Sequence, residues 1–329
     1  MERIRIFDLH CDTLDRLALH DRMPEAGFSE HDADVPSGRM SSLLDNDAHI
    51  SLARIAPYAW CQCFAAFIPD HMDADWAWGV FCTVRDYFAG QLEQHAGAVE
   101  QVRDARDIRR IVDGGSCAAV FTVEGGSFLE GDLARLHEAA DAGVKMLTLT
   151  WNGKNAIASG SQTTDGLSAF GREVIAAMER RRMVVDVSHL NDRSFWDVCD
   201  AAKRPFAASH SNARAVCGHG RNLTDDQFCA IAERGGIVGL NFCRQFLRDD
   251  GADPTRDDVL RHVDHWLGLG GEHAVALGSD YDGCDVPSWL DPADKIGDLH
   301  ALLSREFGAD IAEAVCFENA ARFFERNEE

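Results

Sequence analysis

Basic residues are scarce in this sequence: 32 Lys and Arg stand against 55 Asp and Glu, for a formal net charge of −23. A polyanion would meet a repulsive field over most of such a surface, which argues against nucleic acid as a partner. Long apolar runs are missing as well. No segment approaches the ~18 apolar residues of a membrane-spanning helix, and the opening MERIRIFDLHCD holds no stretch resembling the apolar core of a secretory leader. The expectation is a chain with no membrane span, leader or lipid anchor, working in the cytoplasm. No CxxC pair occurs among the 11 cysteines, which are odd in number and scattered from Cys11 to Cys316. A disulfide framework is therefore not expected, and buried reduced thiols are. Cys61 and Cys63 share one strand face, but no second pair completes a tetrahedral zinc site, so they are read as packing residues. With 8 prolines thinly spread and no repeat or Pro/Ser-rich linker, no domain boundary stands out, and residues 1–329 are expected to form one domain.

What is present is a core-building composition, 46% apolar against 26% charged. Eight short apolar or β-branched runs recur: 3–7, 60–68, 117–123, 145–151, 183–188, 205–209, 236–242 and 274–279. Between them lie stretches of helical spacing, at 132–143, 167–181, 192–202, 224–235 and 255–270, with further helix expected over 72–95 and 310–324. Strands alternating with helices predict a parallel sheet closed into a (β/α)8 TIM barrel. Residues 10 to 59 carry little periodicity and are expected to form irregular loops and short helices near the site.

A barrel of this kind puts its chemistry at the C-terminal ends of its strands. Those ends read Asp8-Leu9-His10-Cys11-Asp12, Glu124-Gly125-Gly126, Ser188-His189, Ser209-His210-Ser211 and Asp280-Tyr281-Asp282-Gly283. His10 and Asp12, two apart in extended chain, point the same way and can hold one cation. Glu124 follows an apolar run, where an unpaired carboxylate would cost several kcal/mol unless protonated, paired or metal-bound. With His189 and His210 it forms a three-ligand set suited to zinc or a similar divalent ion. Five ligands exceed what one catalytic zinc uses, but suit two ions sharing Glu124, with a hydroxide held between them as nucleophile. Asp280 is the expected proton carrier and Asp282 its rival.

These residues, in the order FDLHCDTL (7–14), TVEGG (122–126), DGLSAFGREVIAAMERRRMVVDVSHL (165–190), ASHSNARAV (208–216), GRNLTDDQ (220–227) and GSDYDG (278–283), resemble the membrane (renal) dipeptidases and their bacterial relatives, within the amidohydrolase superfamily. The resemblance spans nearly the whole chain. It implies that His10, Asp12 and Glu124 bind one zinc, that Glu124, His189 and His210 bind the other, and that Arg221 clamps the substrate carboxylate, for which a guanidinium is suited. It implies a small-molecule dipeptide substrate, L-L or L-D, and leaves a homodimer open. Trp151 stands where mammalian members carry a substrate-contacting histidine, so it is a candidate substrate-binding residue able to offer only an indole N–H. The bridging lysine of other amidohydrolases has no counterpart: Lys145 is at the wrong end of its strand and Lys154 lies beyond it. Hydrolysis of another small amide, such as an N-acyl amino acid or lactam, is the alternative, and a non-catalytic metal-binding barrel a further one.

Overall fold

A computed structural model describes residues 3–20 and 38–329; residues 1–2 and 21–37, the latter within the segment read as irregular loop, lie outside the described residues. The strands are β1 (Arg5–Cys11), β2 (Ala59–Phe67), β3 (Val99–Gln101), β4 (Cys117–Glu124), β5 (Val144–Thr148), β6 (Val184–Asp186), β7 (Ala207–Ala208), β8 (Ile237–Leu240) and β9 (Val275–Leu277). All pairings are parallel. β1, β2, β4, β5, β6, β7, β8 and β9 follow one another around a ring that closes where Asp8 of β1 meets Leu277 of β9. The eight-stranded barrel expected from the sequence is thus found. β3 flanks the first half of β4, from Val99↔Cys117 to Gln101↔Ala119, and is not part of the ring. Its three residues carry no apolar run, which is why no strand was expected there. Among the described residues, no helix is long and apolar enough to cross a membrane.

Alternation along the strands sorts the apolar residues into two layers. Phe7, Leu9, Cys61, Cys63, Ala118, Val120, Met146, Val184, Ala207, Ile237 and Ala276 form one buried cluster inside the ring. It continues into Ile108 and Ile111 and into Phe317, Phe323 and Phe324 near the C-terminus, which floor the barrel. Arg109 ties the two floor pieces together through Glu318 at 2.9 Å and Glu325 at 2.6 Å. Residues of the other parity, among them Trp60, Phe64, Phe121, Leu147, Val185, Val238 and Leu277, pack under the surrounding helices. Those helices begin at side-chain caps. Asp73 accepts from Trp76 N, Ser168 from Gly171 N and Asn191 from Ser194 N, and Thr224 with Gln227 forms a capping box. Each cap contributes about 1 kcal/mol.

One irregularity positions the site. Between Asp8 and Cys11, β1 advances three residues while β2 advances two, from Gln62 to Phe64. This bulge reverses the alternation of β1. Leu9 lies in the inner cluster and Cys11 in the outer one, so the extra residue lets His10 face inward too. In an unbroken strand His10 would share the outward face of Asp8.

Candidate active site

Glu124 ends β4 with the inward parity of Ala118 and Val120, above the floor of the barrel, and is buried. Its Oε1 lies 2.7 Å from His189 Nε2 and 3.6 Å from His210 Nε2. Its Oε2 lies 3.3 Å from His10 Nε2. His10 Nε2 is in turn 3.6 Å from Asp12 Oδ2 and 3.8 Å from Asp280 Oδ1. The five strand ends singled out in the sequence therefore converge on one carboxylate, and His10, Glu124 and His210, like His10, Asp12 and Asp280, offer atoms close enough to hold one ion.

The outer nitrogens of the two histidines fix where their lone pairs point. His189 Nδ1 meets Asn152 Oδ1 at 2.9 Å, and an amide oxygen only accepts, so Nδ1 carries the proton. His210 Nδ1 meets Ser209 Oγ at 2.7 Å, and that hydroxyl donates to Asp186 Oδ2 at 2.6 Å, so Nδ1 is again the donor. Both Nε2 atoms are then bare acceptors, yet they stand 2.8 Å apart with a carboxylate oxygen beside them. Three lone pairs facing one another repel unless a cation lies among them. His10 Nε2 and Asp12 Oδ1 are also buried without a hydrogen bond. The donor set fits a divalent metal ion.

The electrostatics divide along the same line. Burial would raise Glu124, but His10 and His189 hold it well below the usual carboxylate range. Burial, then His10 nearby, pushes His210 far down, and burial followed by Arg221 pushes His189 down. Burial opposes charge on His10, but Asp12 and Glu124 together raise it well above an ordinary histidine, while burial and then Glu124 raise Asp12.

Asp280 keeps one oxygen for the site: Oδ2 accepts from Asn241 Nδ2 at 3.0 Å, and Oδ1 faces His10. Its rival is engaged elsewhere. Asp282 accepts from Thr13 Oγ1 at 2.5 Å and from His49 N at 2.7 Å, so it ties the loop at 49–50 to the helix Thr13–Ala18. The alternation expected over 280–282 fails because both aspartates have positive φ, +62° and +68°. His189 is a third such residue, at +70°. Each left-handed non-glycine costs on the order of 1–3 kcal/mol, and such strain gathers at functional sites.

Arg221 is buried, with Nη2 3.4 Å from His210 O, its guanidinium 5.4 Å from the Phe246 ring centre, and Nε without a partner. Burial pulls it below its usual range, and Asp280 and Glu124 resist that shift. Trp151, half-buried beyond the end of β5, sets its ring 5.2 Å from Phe67 and 6.3 Å from His189. Asn152 and Asn241 were not legible as site residues, and Asp8 was legible only as part of the first strand end. Asp8 accepts from Ser279 N and Oγ and from Gln62 Nε2, which fastens β1 to β9 and β2 just below His10. Their only sequence signal is a short polar residue beside a strand end.

The profile of the membrane dipeptidase family, peptidase family M19, matches residues 1–329. A protein of Klebsiella pneumoniae described as an uncharacterised protein of the pqqA 5′ region is 38% identical over 224 residues, 64% of this chain and 80% of that protein. An uncharacterised dipeptidase of Schizosaccharomyces pombe is 37% identical over 193 residues, 56% of this chain and 46% of that protein. Among solved structures, a metallopeptidase of Rhodobacter sphaeroides liganded with a phosphinate mimic of the dipeptide L-Ala-D-Ala has a TM-score of 0.88 at 27% identity, over 99% of this chain and 100% of its own. A dipeptidase of metallopeptidase family M19 gives 0.86 at 28% identity, over 99% of each chain. Matched along its whole length by that profile and sharing its barrel with such enzymes, the chain belongs to the membrane dipeptidase family, peptidase family M19, and is a metal-dependent dipeptidase.

Proposed function

We propose that the chain hydrolyses dipeptides at two zinc ions, one held by His10, Asp12 and Glu124 and the other by Glu124, His189 and His210. The observation that carries the reading is the pair of bare imidazole nitrogens, 2.8 Å apart, beside a shared carboxylate. Bound zinc supplies Lewis acidity, which polarises the scissile carbonyl and makes water a nucleophile at neutral pH. Asp280, held at Oδ2 by Asn241, takes the water proton on Oδ1 and returns it to the leaving amine, so one water is consumed for each amide bond broken. Arg221 clamps the free carboxylate of the substrate, and its unpartnered buried Nε supports that role. A clamped carboxylate restricts the site to short peptides. Trp151 forms a wall beside His189 and can offer an oxyanion only its indole N–H. All eleven cysteines are unpaired, which supports a reducing compartment, the cytoplasm.

The test is amino-acid release from a panel of L-L and L-D dipeptides by zinc-loaded protein, with a chelated control. Chelator-sensitive release is expected. Metal-loaded protein that leaves every dipeptide intact while cleaving an N-acyl amino acid or a lactam would replace the substrate reading, and loaded protein that cleaves none of them would remove turnover.

A further inference from the structure

Asp186, the last residue of β6 and the acceptor of the Ser209 hydroxyl, is fully buried and accepts four hydrogen bonds. Ser188 N at 3.0 Å and Ser209 N at 2.9 Å donate to Oδ1. Thr148 Oγ1 and Ser209 Oγ, each at 2.6 Å, donate to Oδ2. The Ser209 hydroxyl has one proton, and it is committed to the carboxylate. Toward His210 Nδ1, 2.7 Å away, the serine oxygen then presents only lone pairs. We infer that Asp186 is a positioning residue which, through Ser209, fixes the tautomer and ring orientation of His210 and so sets the metal affinity of the site that His210 shares with His189. The inference rests on the metal centre proposed above.

Replacing the carboxylate by an amide should reverse the relay. Two backbone N–H groups converge on the Oδ1 position, so in Asp186→Asn the carbonyl oxygen is held there and the NH2 group faces Thr148 and Ser209. The serine oxygen must then accept, and its proton turns to another acceptor. His210 Nδ1 at 2.7 Å is nearer than Ser188 Oγ at 3.3 Å. An imidazole that accepts at Nδ1 carries its proton at Nε2, where the ion should bind. Both amide hydrogens find hydroxyl acceptors and the side chain keeps its size, so the fold has no reason to fail.

The experiment strips the full-length chain of metal and titrates it with zinc against a chromophoric chelator. The unchanged chain is compared with Asp186→Asn, Ser209→Ala and Thr148→Val. Loss of an outer-shell partner typically costs on the order of 10–100-fold in metal affinity. The expected result is a loss in that range at one of two sites for Asp186→Asn and a smaller one for Ser209→Ala. Thr148→Val, which removes a bond to the same carboxylate without touching the relay, should bind as the unchanged chain does. Equal binding by Asp186→Asn and Ser209→Ala would overturn the inference, as would an equal loss in Thr148→Val, since Asp186 would then act only as a tie between strands. If the unchanged chain bound no zinc, the metal-centre reading would fail and take this inference with it.

Discussion

On one side of Glu124 stand His189 and His210, each with Nδ1 bonded to a neighbouring side chain and Nε2 aimed at the carboxylate. On the other stand His10 and Asp12, where neither His10 Nε2 nor Asp12 Oδ1 has a hydrogen bond. The imidazole half is oriented by side chains. The acidic half is oriented by backbone: the bulge in β1, Asp12 N donating to Tyr281 O at 2.9 Å, and Asp280 N donating to His10 O at 3.2 Å. Charge differs with construction. Burial, with Arg221 near His189 and His10 near His210, pushes both imidazoles of that half down, whereas Asp12 and Glu124 raise His10 against its burial. On the two-ion proposal, the imidazole half meets little proton competition for its cation, and the acidic half releases protons on taking one up.

The largest effect should come from the residue common to both halves. Glu124→Gln should cost each ion more than the roughly 100-fold that an outer-shell change can cost, with hydrolysis lost alongside. Metal analysis after dialysis checks this, and loss of only one ion would mean the carboxylate is not shared. Asp280→Asn should lower kcat by about 10²- to 10⁴-fold, the usual range for a positioned acid and base, while metal content stays at the level of the unchanged chain. Steady-state kinetics beside metal analysis separate the two effects.

A pH series sharpens the contrast between the halves. Ligands bind metal deprotonated, and both His10 and Asp12 are raised while His189 and His210 are lowered. As pH falls, protons should therefore displace metal from the acidic half first, by about tenfold in affinity per pH unit for each proton taken up. Zinc titrations at stepped pH values should show one affinity falling earlier than the other, and parallel curves would erase the distinction. The smallest effect belongs to Asp282→Ala, which strands the buried donors of Thr13, His49 and Ile50. It should lower unfolding stability by about 1–3 kcal/mol, read from the denaturant midpoint, with both ions retained. Lost turnover at unchanged stability would make Asp282 the proton carrier instead of Asp280.

The barrel and the convergence of His10, Asp12, Glu124, His189, His210 and Asp280 were legible because an inward residue at the end of an apolar run is costly unless it serves a site. The bulge in β1 was not, since one extra residue in RIFDLHC leaves the composition of the run unchanged. Nor was the reason that Asp282 ties the loop at 49–50 while Asp280 faces His10, which lies in two positive φ angles that override alternation. Asp186 sits inside the legible run MVVDVS, but its four donors come from three different strand ends and no spacing encodes them. The helix Ile296–Phe307 was not expected either, although Ile296, Leu299 and Leu303 are buried on one face, whereas the three residues of β3 carry no such signal.

On the proposed mechanism, two ions on opposite sides of Glu124 act together. Metal-free protein titrated with zinc while dipeptide hydrolysis is followed tests it most directly. Activity should stay low up to one ion per chain and reach its plateau at two. Full activity with one ion bound, or turnover that survives removal of both, would contradict it.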